Sequence, residues 1–161
     1  MSTDENPVEA LTFHVSLTVS DLERSIEFYV EHLGFRPPLE RFVSDRPWFA
    51  EGIGIPGAVA DQGHIRRGRF LLELWQYRYP ESKKVVVPDT SHIGAVHFGF
   101  EVADIDAEYE RMKAAGVEFL SPPMMVDITE YAGSRWCYFR DPDGYLLEIS
   151  QQPPGVSLDN L

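Results

Sequence analysis

Cysteine is almost missing from this sequence. The 161-residue chain has only Cys137, so it cannot form a disulfide within itself, and it is expected to fold by packing alone in a reducing compartment. Positive charge is also scarce: 14 Lys and Arg stand against 26 Asp and Glu, a net charge of −12. So acidic a chain repels phosphate backbones and anionic headgroups, which argues against general nucleic-acid or membrane-surface partners. No apolar run approaches the roughly 20 residues that span a bilayer. Met1 to Asn6 is polar and acidic, unlike a signal peptide. The expectation is a cytoplasmic protein whose partner is a small molecule. The apolar and charged fractions, 43% and 25%, are those of an ordinary globular domain able to bury a sizeable core.

What the chain does have is a degenerate repeat. His14-Val-Ser-Leu-Thr-Val-Ser-Asp21 returns as His97-Phe-Gly-Phe-Glu-Val-Ala-Asp104. Each copy offers a His, an alternating run, a Val five residues on and an Asp seven residues on. Each then enters a helical pattern that stops at a glycine, Gly34 or Gly116. Further on, Leu71-Leu72-Glu73-Leu74 is matched by Leu146-Leu147-Glu148-Ile149. The spacing divides the chain into a disordered lead (1–10), a first module (11–77), a linker (78–91), a second module (92–150) and a tail (151–161). Within the modules, alternation predicts strands over 11–19, 39–43, 69–77, 93–102, 117–120, 135–139 and 145–150. Helices are expected at 22–33 and 104–115. Residues 44–63 read as a long connection with a short helix, and a strand over 57–66 is possible on the same pattern. Asp141-Pro-Asp-Gly144 is a strong turn signal. The fold class is α+β, built from tandem βαβββ modules.

A charged Glu among leucines on a strand is costly unless something compensates it. Glu73 and Glu148 both stand in that setting, and each module also carries one strand His. Taken singly, each of these is more often a structural residue than a ligand. The repeat shifts the balance, because related modules can bring His14, Glu73, His97 and Glu148 to one centre. Two imidazoles and two carboxylates suit one divalent ion such as Zn, Ni, Co, Mn or Fe.

Here the sequence resembles the vicinal oxygen chelate superfamily, which includes glyoxalase I, methylmalonyl-CoA epimerase, extradiol dioxygenases and bleomycin- or fosfomycin-resistance proteins. The residues that carry the resemblance are His14–Tyr29, Leu71–Leu74, Ala95–Asp104 and Asp141–Glu148. The resemblance implies an open, partly closed β-barrel around the metal, with His14, Glu73, His97 and Glu148 on the four ligand positions. Glu73 at the second position is similar to the isomerases and lyases, since the extradiol enzymes lack that ligand. Bacterial glyoxalase I has an Arg and an Asn at glutathione-contacting places where this chain has Thr18 and Tyr77.

The implied chemistry is enolisation. Two vicinal substrate oxygens chelate the ion, which holds the charge of an enediolate while a carboxylate moves the proton. Glu148 is the first candidate for the base and Glu73 the second. The resemblance also implies a homodimer. Two rival functions are a ring-cleaving dioxygenase and a metal-free binding or resistance protein.

Other residues carry weaker signals. Trp48 and Phe49, in the irregular stretch, are candidate pocket walls. His64, Arg66, Arg67 and Arg69 form the one basic cluster, read either as a solvated edge or as a site for an anionic substrate group. Tyr77 is a candidate substrate contact. His32 and His92 read as structural, and Cys137 as a small buried apolar residue.

Overall fold

The computed structural model describes residues 14–83, 89–128 and 131–156. The expected lead, the first residues of the first strand, the middle of the linker and the end of the tail lie outside them. Two units are present. The first holds the residues up to Leu22 together with Gly34–Ser82, and the second holds Glu23–Leu33 together with the residues from Lys83 onward.

In the first unit, strand β4 (Phe70–Tyr79) is the centre of the sheet. Its run from Leu71 to Leu74 is buried residue after residue, as a strand covered on both faces must be. β1 (His14–Thr18) lies parallel beside it and β3 (Val59–Arg67) antiparallel on its other side. β2 (Arg41–Ser44) closes the order β1-β4-β3-β2. The irregular stretch supplies the short helix α2 (Pro47–Gly52), with proline in its first turn, where a missing N–H costs nothing.

The second unit repeats the plan. β8 (Leu146–Gln151) is central, β5 (His97–Glu101) is parallel to it, and β7 (Arg135–Arg140) is antiparallel. β6 (Met124–Met125) completes the order β5-β8-β7-β6. Each sheet is an open four-stranded, mixed sheet, and the architecture is α+β. The expected strand over 117–120 is reduced to a single bridge between Phe119 and Phe139, where Arg140 N–H and Leu120 N–H reach across to the carbonyls of Glu118 and Tyr138. Pro122 and Pro123 have no N–H to give the ladder, so pairing resumes only at Met124.

Two helices follow the two parallel strands, α1 (Leu22–Leu33) and α3 (Ile105–Ala114). Asp104 caps α3 by accepting from the N–H groups of Asp106 and Ala107. A further tie occurs in both copies. Leu22 N–H donates to Gln76 Oε1 at 2.9 Å, and Ile105 N–H donates to Gln151 Oε1 at 3.0 Å. Each glutamine lies three residues beyond the strand Glu, so the repeat is longer by one residue type than its first reading. Both helices end before a glycine with positive φ, 67° at Gly34 and 89° at Gly116, a conformation open to glycine without penalty.

The core of the second unit packs on the sheet face opposite Glu148. Phe100, Ile105, Met112, Cys137, Phe139, Leu147 and Ile149 are all buried there, with Ile26, Tyr29 and Leu33 from α1. The Cys137 thiol is fully buried, and burial pushes its pKa up to about 12, which leaves it inert. Tyr29 is fully buried as well, and its hydroxyl donates to Asp141 Oδ2 at 3.0 Å. Asp141 Oδ1 in turn accepts from the backbone N–H groups of Asp143 and Tyr145, closing the expected turn. Burial raises the pKa of both Tyr29 and Asp141 above their ordinary values.

Asp141 therefore holds three donors and Tyr29 supplies only one. Tyr29→Phe should cost about 1 kcal/mol, while Asp141→Ala, which strands a phenol and two amides, should cost roughly 3 kcal/mol. Urea denaturation of the two variants checks the ranking; equal midpoints would contradict it.

Candidate metal centre

Parallel pairing sets the geometry of both half-sites. In the first unit His14 is in register with Leu71 and Ser16 with Glu73. His14 therefore stands diagonally from Glu73 on the same face of the sheet, because side chains two residues apart share a face. Its Nε2 lies 3.8 Å from Glu73 Oε2. In the second unit the same offset brings His97 Nε2 to 3.3 Å from Glu148 Oε2. The carboxylates are largely buried, at 11% and 19% side-chain exposure, while the imidazoles are open, at 43% and 44%. Each pair thus has a protected anionic floor and a reachable nitrogen.

The two carboxylates differ in what surrounds them. Ser16 Oγ donates to Glu73 Oε2 at 2.7 Å, and His64 Nε2 stands 3.6 Å from Glu73 Oε1. A polar chain runs on from there: His64 Nε2 is 3.4 Å from Gln62 Oε1, and Gln62 Nε2 donates to Ser44 Oγ at 2.9 Å. Glu148 has Gly99 where Glu73 has Ser16, and Tyr138 where Glu73 has His64. Tyr138 hydrogen-bonds to Glu148, and its ring packs on His97 at 5.1 Å between centroids. Burial raises the Glu148 carboxyl above the ordinary glutamate value, and the attraction of His97 and the Tyr138 bond offset this only in part.

A cavity of about 350 Å³ opens beside His97 and Glu148, with Glu101, Trp136 and Ser150 among its walls. A larger one, about 610 Å³, lies along α2 and is lined by none of the candidate ligands. Trp48 is largely exposed, and Phe49 is buried against Trp75 in a cluster with Ala50, Ala58 and Ala60. Tyr77 packs on that cluster. Arg66 and Arg69 are exposed, Arg66 on β3 and Arg69 in the turn before β4.

Sequence reasoning missed His64, Ser16 and Tyr138 as neighbours of the carboxylates. His64 was hidden by the arginines that follow it. The signal was available in its spacing, since a hairpin centred on Gly68-Arg69 pairs position 64 with position 73. Among the described residues, no group of three or more His, Cys, Asp or Glu side chains is placed to hold an ion. Each unit brings two. Two donors bound to one ion at about 2.0–2.3 Å lie roughly 3–3.5 Å apart. The 3.3 Å and 3.8 Å pairs are close to that separation, so each fits half of a ligand set.

Solved structures share this fold. A glyoxalase family protein from Bacillus cereus superposes with a TM-score of 0.77 at 21% identity, over 94% of this chain and 99% of its own. A glyoxalase family protein from Enterococcus faecalis gives 0.57 at 25% identity, over 88% and 98%. The architecture is thus that of the glyoxalase fold. Residues 12–149 match the model of the Glyoxalase/Bleomycin resistance protein/Dioxygenase superfamily, and the chain belongs to that superfamily. Among its relatives is a 2-epi-5-epi-valiolone epimerase from an Actinomyces species, 32% identical over 95% of this chain and 85% of the epimerase. A lactoylglutathione lyase from Pseudomonas aeruginosa is 30% identical over 94% and 88%. These relatives mark the protein as an enzyme of the lyase or isomerase kind. No helix among the described residues is long and apolar enough to cross a membrane.

The raised Glu148 carboxyl has a consequence for stability. Its charge is disfavoured by folding, so the folded state binds the proton more tightly than the unfolded chain. Stability is then highest with Glu148 protonated, and it declines as pH rises from 4.5, the ordinary value, through the raised one. Metal-free Glu148→Gln should melt at a higher temperature than the parent at pH 7, and the gap should close below pH 4.5. A pH series of thermal melts checks both sign and window.

Proposed function

We propose that the protein is a metal-dependent isomerase of the epimerase type, acting on a small hydroxylated carbonyl compound that offers two vicinal oxygens. The observation that supports it is the repeated His–Glu pair, held at one register in two units of a chain that belongs to the glyoxalase superfamily. Members of that superfamily typically use a divalent metal ion. His14, Glu73, His97 and Glu148 are the residues that would hold it, and the chain acts as a homodimer. When bound, the ion supplies Lewis acidity to the substrate oxygens.

The chain's own residues do the rest. Glu148 takes the proton from the carbon next to the carbonyl, and inversion is completed when a solvent-derived proton reaches the opposite face. Its burial suits that role, because a carboxylate raised toward neutrality is the stronger base. Tyr138 steadies it, and the neighbouring cavity receives the substrate. Glu73 is the anchored ligand. Epimerisation is preferred to glutathione-dependent lyase chemistry because of the wall beyond Glu73. Thr18 is in register with Trp75, and Tyr77 packs with Trp75 and Phe49, so that wall is aromatic where a peptide thiol would need polar contacts.

Titration of the metal-free protein with Co(II) should show one site per chain, lost in His14→Ala and in His97→Ala. With 2-epi-5-epi-valiolone as probe, the protein should exchange the proton beside the carbonyl for solvent deuterium. Glu148→Gln should keep the fold and slow exchange by about 10² to 10⁴-fold, the usual contribution of a positioned base. Glu73→Gln should slow it less. The reverse ranking would move the base to Glu73. Absence of metal binding would favour a binding protein, and Fe(II)-dependent oxygen uptake would favour ring cleavage.

A further inference from the structure

We propose that His64 is a positioning residue for Glu73: it holds Oε1 of that carboxylate so that Oε2, beside His14, is the oxygen offered to the ion. The inference rests on the metal-binding reading above and adds a residue outside the repeated ligand set. His64 lies directly across the hairpin from Glu73. Its Nε2 is flanked by two oxygens, Glu73 Oε1 at 3.6 Å and Gln62 Oε1 at 3.4 Å. Gln62 is buried and gives its amide nitrogen to Ser44, so its oxygen is left facing the imidazole. A nitrogen between two acceptor oxygens carries the hydrogen, which fixes the tautomer as a donor at Nε2. The ring is held edge-on by Phe42, with centroids 4.8 Å apart.

Gln62 Oε1 is at the long end of hydrogen-bond distance and Glu73 Oε1 just beyond it, a placement that suits an imidazole held beside Oε1 while Oε2 is offered to the ion. Ser16 already donates to Oε2 from the other side, so the two oxygens of Glu73 have separate neighbours. The second unit supports the same logic independently. Tyr138, at the matching place across from Glu148, also donates to its carboxylate. The third strand thus supplies a donor to the central carboxylate in both units, by different chemistry. An imidazole wedged between Gln62 and Phe42 holds Glu73 still, whereas Tyr138 leaves Glu148 next to an open cavity.

The test is Co(II) affinity and visible absorption of the purified full-length chain. His64→Leu should fold as the parent does, bind Co(II) about 10 to 100-fold more weakly and show a changed d–d spectrum. His64→Gln, whose amide N–H reaches the same oxygen, should return affinity to within about threefold of the parent and restore the spectrum, since outer donors act through orientation. Parent-like affinity and spectrum in His64→Leu would overturn the proposal, as would failure of His64→Gln to recover them. His14→Ala and His97→Ala serve as the reference. If they lose Co(II) while His64→Leu does not, only the role of His64 falls. If they keep Co(II) at parent affinity, the metal-binding reading falls and the role of His64 with it.

Discussion

One constraint governs each unit: the first strand must lie beside the last, in parallel, at a single register. Parallel neighbours cannot be joined by a tight turn, so everything between them is in effect the crossover. Along the chain a helix and two further strands occupy each connection, with α2 added in the first, although the residues of α1 from Glu23 onward belong to the second unit. Register matters because the side-chain period is two residues. A slip of one would swing Glu73 to the side of Leu72 and Leu74, and Glu148 to the side of Leu147 and Ile149. A lone carboxylate there would have no donor. The apolar residues that alternate with each Glu therefore position it as firmly as any polar contact does.

The local electrostatics make the two halves unequal. Glu73 sits under a hydroxyl and two imidazoles, and is linked through Gln62 to the buried Ser44. Glu148 has one imidazole, one phenol and a glycine beside it; a Cβ on Gly99 would come within 4.0 Å of the carboxyl group. The glycine keeps space clear around Glu148 that Ser16 fills around Glu73. A duplicated frame has thus been given one crowded carboxylate and one with room to move, a difference that fits one anchoring and one reacting role.

Much of the fold was legible because the repeat is written in strong local signals. His14 and His97 open alternating runs, Gly34 and Gly116 stop helices, and Asp141-Pro-Asp-Gly144 makes its turn. The four-residue strand cores of Leu, Leu, Glu and an aliphatic residue mark the centre of each sheet. The strand expected at 117–120 dwindled to a bridge because Pro122 and Pro123, just beyond it, have no N–H with which to extend the pairing. The partners of the carboxylates were hard to see for a different reason. Ser16, His64 and Tyr138 meet Glu73 and Glu148 only through strand pairing, and pairing across a hairpin is set by where the turn falls. Basic neighbours drew His64 into a charge cluster, although alternation turns it toward Glu73.

The paired glutamines carry a meaning beyond their hydrogen bonds. Gln76 and Gln151 sit three places after Glu73 and Glu148, an odd interval, so glutamate and glutamine project to opposite sides of one strand. One side carries the carboxylate and the other seizes the start of a helix. A stretch of six residues, Leu71–Gln76 or Leu146–Gln151, is therefore a self-contained inheritance: whoever copies it copies the carboxylate together with the fastening that keeps it aimed. That is the kind of segment from which a second half-site can arise by duplication already in working order, leaving later change free to rewrite the neighbours across the hairpin.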